Sequence, residues 1–305
     1  MIPEAKRKDL EKQGYRIVGN HSAIKVCLWC KKAIRGQDVC YKETFYNIKS
    51  HQCVQMTPAL QFCSHRCSFC WRDIGWTKPK FEGPIDDPKE IVDGCIKEHV
   101  KFLQGFGGFE GKNKQKFEEA MHPKHFAISL SGEPCLYPKL PELIEEIKSR
   151  GMTAYLVTNG TQPEMIKKLI NHPPTNFYIT VPAPDKATYL KVCAPIIDDG
   201  WDKIQESLSQ FKNFKDKTKR IIRLTVSKDL NMINPEGYAN LLKDVDFDYL
   251  EVKAYVFVGH SQERMTMENM PRHHEIKEFA EQLAKLLNLK IKDEKQESRV
   301  VLLEH

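Results

Sequence analysis

The chain is 305 residues long and 41% hydrophobic, which allows one large domain or two small ones around a sizeable core. No apolar run approaches the roughly 20 residues needed to cross a bilayer, and the opening Met1-Ile-Pro-Glu-Ala-Lys-Arg-Lys8 lacks the apolar stretch of a signal peptide, so the sequence predicts a soluble, cytoplasmic protein. A formal charge of +6, from 47 basic against 41 acidic residues, permits a polyanionic partner without requiring one.

Residues 1–56 hold four cysteines and no strand–helix repeat, and are predicted to form an N-terminal extension shaped by metal ligands. From residue 57 onward, short apolar runs alternate with amphipathic stretches. The first strand is predicted at 59–62. A helix opens at Asp87-Pro88, with Val92, Cys95, Ile96, Val100 and Leu103 on one face. Four glycines within 105–111, then the lysines of 112–116, predict a mobile basic insertion. Further strands are predicted at 126–130, 154–157, 177–181, 221–226 and 249–258. Helices are predicted at 140–147, 163–170, 187–192, 204–214, 235–242 and 274–287, several with proline in the first turn. Six strands each followed by a helix imply a parallel sheet with right-handed crossovers. The predicted fold is therefore α/β, a partial (βα)6 TIM-like barrel with a C-terminal extension over 57–305. In such barrels the chemistry sits at the C-terminal ends of the strands.

Seven of the ten cysteines lie between positions 27 and 70, which in a reducing cytosol reads as metal ligation rather than a disulfide framework. Cys63-Ser-His-Arg-Cys67-Ser-Phe-Cys70 has C-x3-C-x2-C spacing directly after the first predicted strand. Three thiolates so spaced can hold three irons of a 4Fe–4S cube, leaving the fourth open to a small molecule's amine and carboxylate. Zinc is the competing reading, but it closes tetrahedrally and usually draws on paired C-x2-C knuckles. Upstream, Cys27, Cys40 and Cys53 follow one another at an even spacing of 13, while Cys27-Leu-Trp-Cys30 also reads as a zinc knuckle or redox pair. Ser131-Gly-Glu-Pro134 and Thr158-Asn-Gly160 fall at the ends of the second and third predicted strands. A simple turn is the competing reading of the first.

With that context, the cysteine loop resembles the radical S-adenosylmethionine enzymes. The resemblance implies S-adenosylmethionine on the open iron and its reductive cleavage to a 5′-deoxyadenosyl radical. It also implies that Gly132 and Glu133, in a G-G-E-P motif whose first position is serine here, meet the methionine amine and carboxylate. Thr158 and Asn159 would hold the ribose or the methionine carboxylate. The backbone at Phe69 would meet the adenine, and a core aromatic is the alternative reading of its side chain.

Longer stretches narrow the likeness. Met56-Thr-Pro-Ala-Leu-Gln-Phe-Cys63, Cys70-Trp-Arg72, Gly132-Glu-Pro-Cys-Leu-Tyr-Pro138 and Leu156-Val-Thr-Asn-Gly160 resemble the wybutosine-pathway 4-demethylwyosine synthases. So do Arg223-Leu-Thr225, Leu250-Glu-Val-Lys253 and the run from Met267 to Pro271-Arg-His273, whereas 178–185 departs from the family's more polar version. This resemblance implies two 4Fe–4S clusters, the second held by Cys27, Cys40 and Cys53 in an iron–sulfur-binding extension, with Cys30 spare, replacing Cys27 or joining the set. It implies condensation of pyruvate with N1-methylguanosine beside the anticodon of phenylalanine tRNA. Hydrogen is abstracted from the N-methyl group, the carbon radical attacks the pyruvate carbonyl, the carboxyl carbon is lost and a third ring closes. A lysine Schiff base would activate the keto acid. Lys42, two residues after Cys40, is the expected amine, with Lys49 and Lys253 as alternatives. Basic residues at 6–8, 31–35, 72, 78–80 and 112–116 would track phosphates, and Trp71, Trp76 and Tyr41 could stack a splayed base. The 62 residues before Cys63 leave no room for the flavin domain of eukaryotic members, so an archaeal-type monomer served by an external low-potential electron donor is expected. Other radical enzymes with an auxiliary cluster, or a zinc-containing RNA-binding module, are the rival readings.

Overall fold

The structure is a computed structural model in which residues 2–305 are described. Contacts divide the chain into two compact units, one running to Phe62 and including Lys80–Val157 and Asn171–Thr175, the other comprising Cys63–Pro79, Thr158–Ile170 and Asn176–His305.

The first unit carries α1 (Glu4–Lys12), β1 (Arg16–Val18), β2 (Ser22–Ile24), α2 (Leu28–Ile34), α3 (Tyr41–Tyr46), β3 (Cys53–Thr57), α4 (Pro88–Gln104), α5 (Lys114–Ala120), β4 (His125–Ile128), α6 (Leu140–Ser149) and β5 (Thr153–Thr158), whose last residue falls in the second. Its strands lie in the order β1-β2-β3-β4-β5. The β1–β2 hairpin joins β3 antiparallel, and β3, β4 and β5 run parallel. The N-terminal segment therefore extends the sheet rather than standing apart from it.

The second unit carries α7 (Pro163–Leu169), β6 (Asn176–Thr180), α8 (Lys186–Cys193), α9 (Gly200–Ser209), β7 (Lys219–Val226), α10 (Pro235–Leu242), β8 (Tyr249–Ala254), α11 (His273–Leu287), β9 (Lys290–Lys295) and β10 (Val300–Glu304). Strands β6, β7 and β8 are parallel, and β10 then β9 close the edge antiparallel. Ile221, Ile222, Leu224 and Val226 of β7 are fully buried, as expected of a parallel strand covered on both faces.

Helix starts follow local chemistry. Asp87 accepts the Lys89 N–H at 3.0 Å ahead of Pro88, and Asp185 accepts the Thr188 N–H at 2.8 Å. The α/β class and the order of the six parallel strands match the sequence expectation, with four corrections, one being that the strand expected at 249–258 ends at Ala254. The first parallel strand is Cys53–Thr57, not 59–62. Pro58 has no N–H to continue the ladder, and 59–62 becomes a buried turn closed by Phe62 N–H to the Ala59 carbonyl at 3.0 Å. The 56/57 boundary thus falls inside a strand. The segment expected as a mobile insertion ends in a packed helix, α5, whose Ala120 joins the core around Cys30. The helix expected at 204–214 is α9, followed by a tighter turn at Phe211–Phe214. Among the described residues, no helix is long and apolar enough to cross a membrane.

Candidate active site

In the second unit, the loop Cys63–Cys70 is stitched to the end of α8 by backbone bonds. Arg66 donates to the Cys193 carbonyl and Ser68 to the Val192 carbonyl, each at 2.9 Å, while Ile196 donates to the Ser64 carbonyl at 2.9 Å. Its far end is held by Arg264, whose guanidinium donates to the carbonyls of Ser68 at 3.2 Å and Cys70 at 2.5 Å. These bonds flank the half-buried Phe69 on both sides. Asn159 reaches the same loop, donating to Ser64 Oγ at 2.9 Å and to Cys63 Sγ at 3.8 Å, while its carbonyl receives the Thr161 N–H and hydroxyl. Thr158 is buried and accepts the Gly160 N–H at 3.1 Å. Neither the α8 clamp nor Arg264 had a local sequence signal, because both act over more than a hundred residues.

The donor set suits an anionic cluster. Arg72, immediately after the loop, is only 5% exposed, and its Nη1 has no hydrogen-bond partner among the described residues. Burial alone would lower its pKa, but the thiolates of Cys63, Cys70 and Cys67 outweigh that and hold it charged. Burial pushes the Cys70 thiol up, and a hydrogen bond with Cys193, then burial, pushes up Cys67. Protons leave such thiols when metal binds, since a coordinating thiol is deprotonated outright. His65, Cys67 and Cys193 also bring one donor atom each within 4.8 Å of one another. Burial pulls His65 down to about 3, so its imidazole is neutral. Cys193 lay outside both cysteine sets in the sequence, and α8 delivers it.

Across strands β7 and β8, the Arg223 guanidinium pairs with the fully buried Glu251 carboxylate at 2.7 Å and lies 4.5 Å from the Tyr178 ring centre. Lys253 donates to the Ser298 carbonyl at 3.0 Å.

The first unit gathers the other cysteines. Cys27 caps α2, its sulfur accepting the Cys30 N–H at 3.3 Å. Cys40 precedes α3, and its N–H donates to Ser50 Oγ at 2.9 Å. Glu43 in turn receives both the Ser50 hydroxyl at 2.6 Å and its N–H at 2.8 Å, which ties the Cys40 turn to the start of β3 at Cys53. Burial raises the Cys27 and Cys53 thiols, while the Lys42 ammonium pulls both the other way. Lys42 is 7% exposed and lies 5.7 Å from the Tyr155 ring centre. Lys49, by contrast, is exposed and pairs with Glu119 at 3.8 Å. Cys30 is fully buried among Val26, Ile34, Leu103 and Ala120 and donates weakly to the His51 carbonyl, which suits a core residue. Tyr41 is buried edge-on against Phe45, so it packs and is not available to stack a base.

Also in the first unit, Gly132 and Glu133 follow β4. The Glu133 N–H donates to the Phe62 carbonyl at 2.7 Å, and its carboxylate caps the next turn by accepting the Cys135 N–H at 2.9 Å. The neighbouring Ser131 hydroxyl is buried and finds no partner among the described residues. That is an opening for a polar cofactor group. Gly132 has φ +73°, and a Cβ there would sit 1.9 Å from the Ala59 carbonyl oxygen. Gly132→Ala is expected to cost on the order of 4 kcal/mol, strain plus backbone collision. Gly151→Ala, at φ +71° with nothing within 4 Å, is expected to cost only about 1 kcal/mol. Urea unfolding of the two variants checks this, and equal costs would refute the close approach.

Residues 58–242 match the family model of the Radical SAM superfamily, and residues 245–305 match that of wyosine base formation. An S-adenosyl-L-methionine-dependent tRNA 4-demethylwyosine synthase from Pyrococcus abyssi is 46% identical, covering 99% of this chain and 89% of that protein. The solved structure of TYW1 with a lysine-pyruvate adduct bound is similar with a TM-score of 0.89 and 35% identity, covering all of this chain and 96% of the other. The crystal structure of archaeal TYW1 gives a TM-score of 0.81 at 31% identity over the same shares. The fold is thus the α/β partial barrel of radical S-adenosylmethionine enzymes. Over its whole length, the chain belongs to the tRNA 4-demethylwyosine synthase family of radical S-adenosylmethionine enzymes.

Proposed function

We propose that this enzyme builds 4-demethylwyosine by condensing pyruvate with N1-methylguanosine beside the anticodon of phenylalanine tRNA. The observation that carries the reading is Lys42, a buried amine whose charge acts on the thiols of both Cys27 and Cys53. A relative with a lysine-pyruvate adduct supports it.

Cys63, Cys67 and Cys70 would hold one 4Fe–4S cluster, and Cys27, Cys40 and Cys53 a second. The first cluster and S-adenosylmethionine, when bound, supply the radical that opens the reaction. The chain's own residues do the rest. Gly132 and Glu133 would meet the methionine amine and carboxylate, Thr158 and Asn159 would hold the ribose or the methionine carboxylate, and the Phe69 backbone would meet the adenine. Arg72 offsets the negative charge of the three thiolates. The Lys42 amine would add to C2 of pyruvate and expel water, leaving that carbon electrophilic toward the methyl carbon of the guanosine. Two pyruvate carbons enter the ring: the C1–C2 bond breaks with C1 leaving as a one-carbon fragment that carries away the odd electron, and the exocyclic amine of the guanosine displaces the Lys42 amine from C2 as the ring closes. The enzyme would act as a monomer, drawing electrons from an external low-potential donor.

Mass analysis of methylguanosine-bearing phenylalanine tRNA tests this after anaerobic incubation with S-adenosylmethionine, a strong reductant and pyruvate labelled at C2 and C3. The expected product retains both labels on the tRNA. A product retaining C1 label, or none dependent on pyruvate, contradicts the proposal.

A further inference from the structure

In the first unit, a cleft of about 560 Å³ opens where the C-terminal end of α4 meets β1 and the end of α2. Arg16, Arg35 and Lys101 line it together with Phe102, Phe106 and Phe109. The cations lie over the rings. Arg16 is 5.7 Å and Lys31 5.0 Å from the Phe102 centre, and Arg35 is 5.6 Å from Phe106 and 5.3 Å from Phe109. Among the described residues, no salt bridge joins Arg16, Lys31, Arg35 or Lys101 to a carboxylate; Arg16 donates only to the Tyr15 carbonyl, at 3.3 Å. Phe109 is 43% exposed. Lys112 donates at the surface to the Gly107 carbonyl at 2.7 Å and the Phe109 carbonyl at 3.2 Å, fixing the turn that presents the Phe109 ring.

Uncompensated cations on aromatic faces match a nucleic-acid strand in both its parts. The cations suit phosphates, and an exposed ring suits an unstacked base. An acidic protein surface would satisfy the charge and leave the ring unused. The cleft is also close to the cysteine centre of this unit. Cys27 caps one end of α2 and Arg35 the other, about 12 Å apart at 1.5 Å per residue.

We propose that this cleft grips the single-stranded region of the substrate tRNA, with phosphates on Arg16, Arg35 and Lys101 and a base against Phe109. The proposal rests on tRNA being the substrate. The test compares the anaerobically reconstituted enzyme with an R16Q/R35Q/K101Q variant and with Phe109→Ala, measuring binding of methylguanosine-bearing phenylalanine tRNA by anisotropy across a salt series. Iron content and thermal midpoint serve as folding checks. Loss of three phosphate contacts should reduce the slope of log affinity against log salt by about 2 to 3. Phe109→Ala should weaken binding about tenfold. Unchanged affinity and slope in both variants, with a wild type that binds, overturns the proposal alone. A wild type that does not bind tRNA overturns it together with the substrate reading. Slower reduction by an acidic flavodoxin with tRNA binding intact overturns it in favour of a donor-docking surface.

Discussion

Lys42→Arg is expected to abolish the borohydride-trapped pyruvate adduct and to reduce tRNA product by on the order of 10³-fold or more, the scale on which loss of a covalent nucleophile acts. Arginine is the informative substitution here. The Lys42 charge opposes the burial penalty at Cys27 and Cys53, so alanine would remove both the nucleophile and a counter-charge to the thiolates. Arginine keeps the charge and cannot form a Schiff base at neutral pH. Lys42→Ala should therefore lose adduct and some iron, and Lys42→Arg adduct alone. Mass spectrometry of borohydride-treated enzyme reads both directly. An adduct that survives either change would move the assignment to Lys49, which is exposed and paired with Glu119, or to Lys253, which is bound to Ser298.

Exchanging the two cysteine sets for alanine should separate two activities. With Cys63, Cys67 and Cys70 replaced, release of 5′-deoxyadenosine should fall to background, because nothing remains to deliver the electron. With Cys27, Cys40 and Cys53 replaced, that release should persist while tRNA product disappears, as expected if this set serves pyruvate binding rather than radical generation. Chromatographic assay of deoxyadenosine alongside tRNA mass analysis distinguishes the sets. Equal loss of both activities in both variants would contradict the division of labour.

The sequence was most informative where one local rule decides the outcome. Apolar runs located five of the six parallel strands to within a few residues, and proline in the first turn located several helix starts, whereas α1, α2, α3 and α5 were not foreseen. The first strand was misplaced because Cys53–Thr57 and the following turn are both largely buried and each mixes apolar residues with a glutamine, so periodicity could not choose between them. The arrest of the ladder at Pro58 was the overlooked cue. The C-x3-C-x2-C loop was legible because spacing along one segment carries it. The residues that hold that loop were not. Arg264 and the α8 end lie far away in sequence, and Cys193 reaches His65 and Cys67 only through the fold. The first-unit cysteines show the same division. Their even spacing was visible, but the Glu43–Ser50 bracket that joins Cys40 to the start of β3 is a tertiary arrangement.

The central claim is that one chain holds two cubes, one at Cys63, Cys67 and Cys70 and the other at Cys27, Cys40 and Cys53. Iron, acid-labile sulfide and zinc counted together on protein reconstituted without oxygen test it most directly. About eight irons and about eight sulfides per chain are expected, falling to about four of each when either cysteine set is removed. About four irons in the wild type, or one or two zincs with no iron, would contradict it.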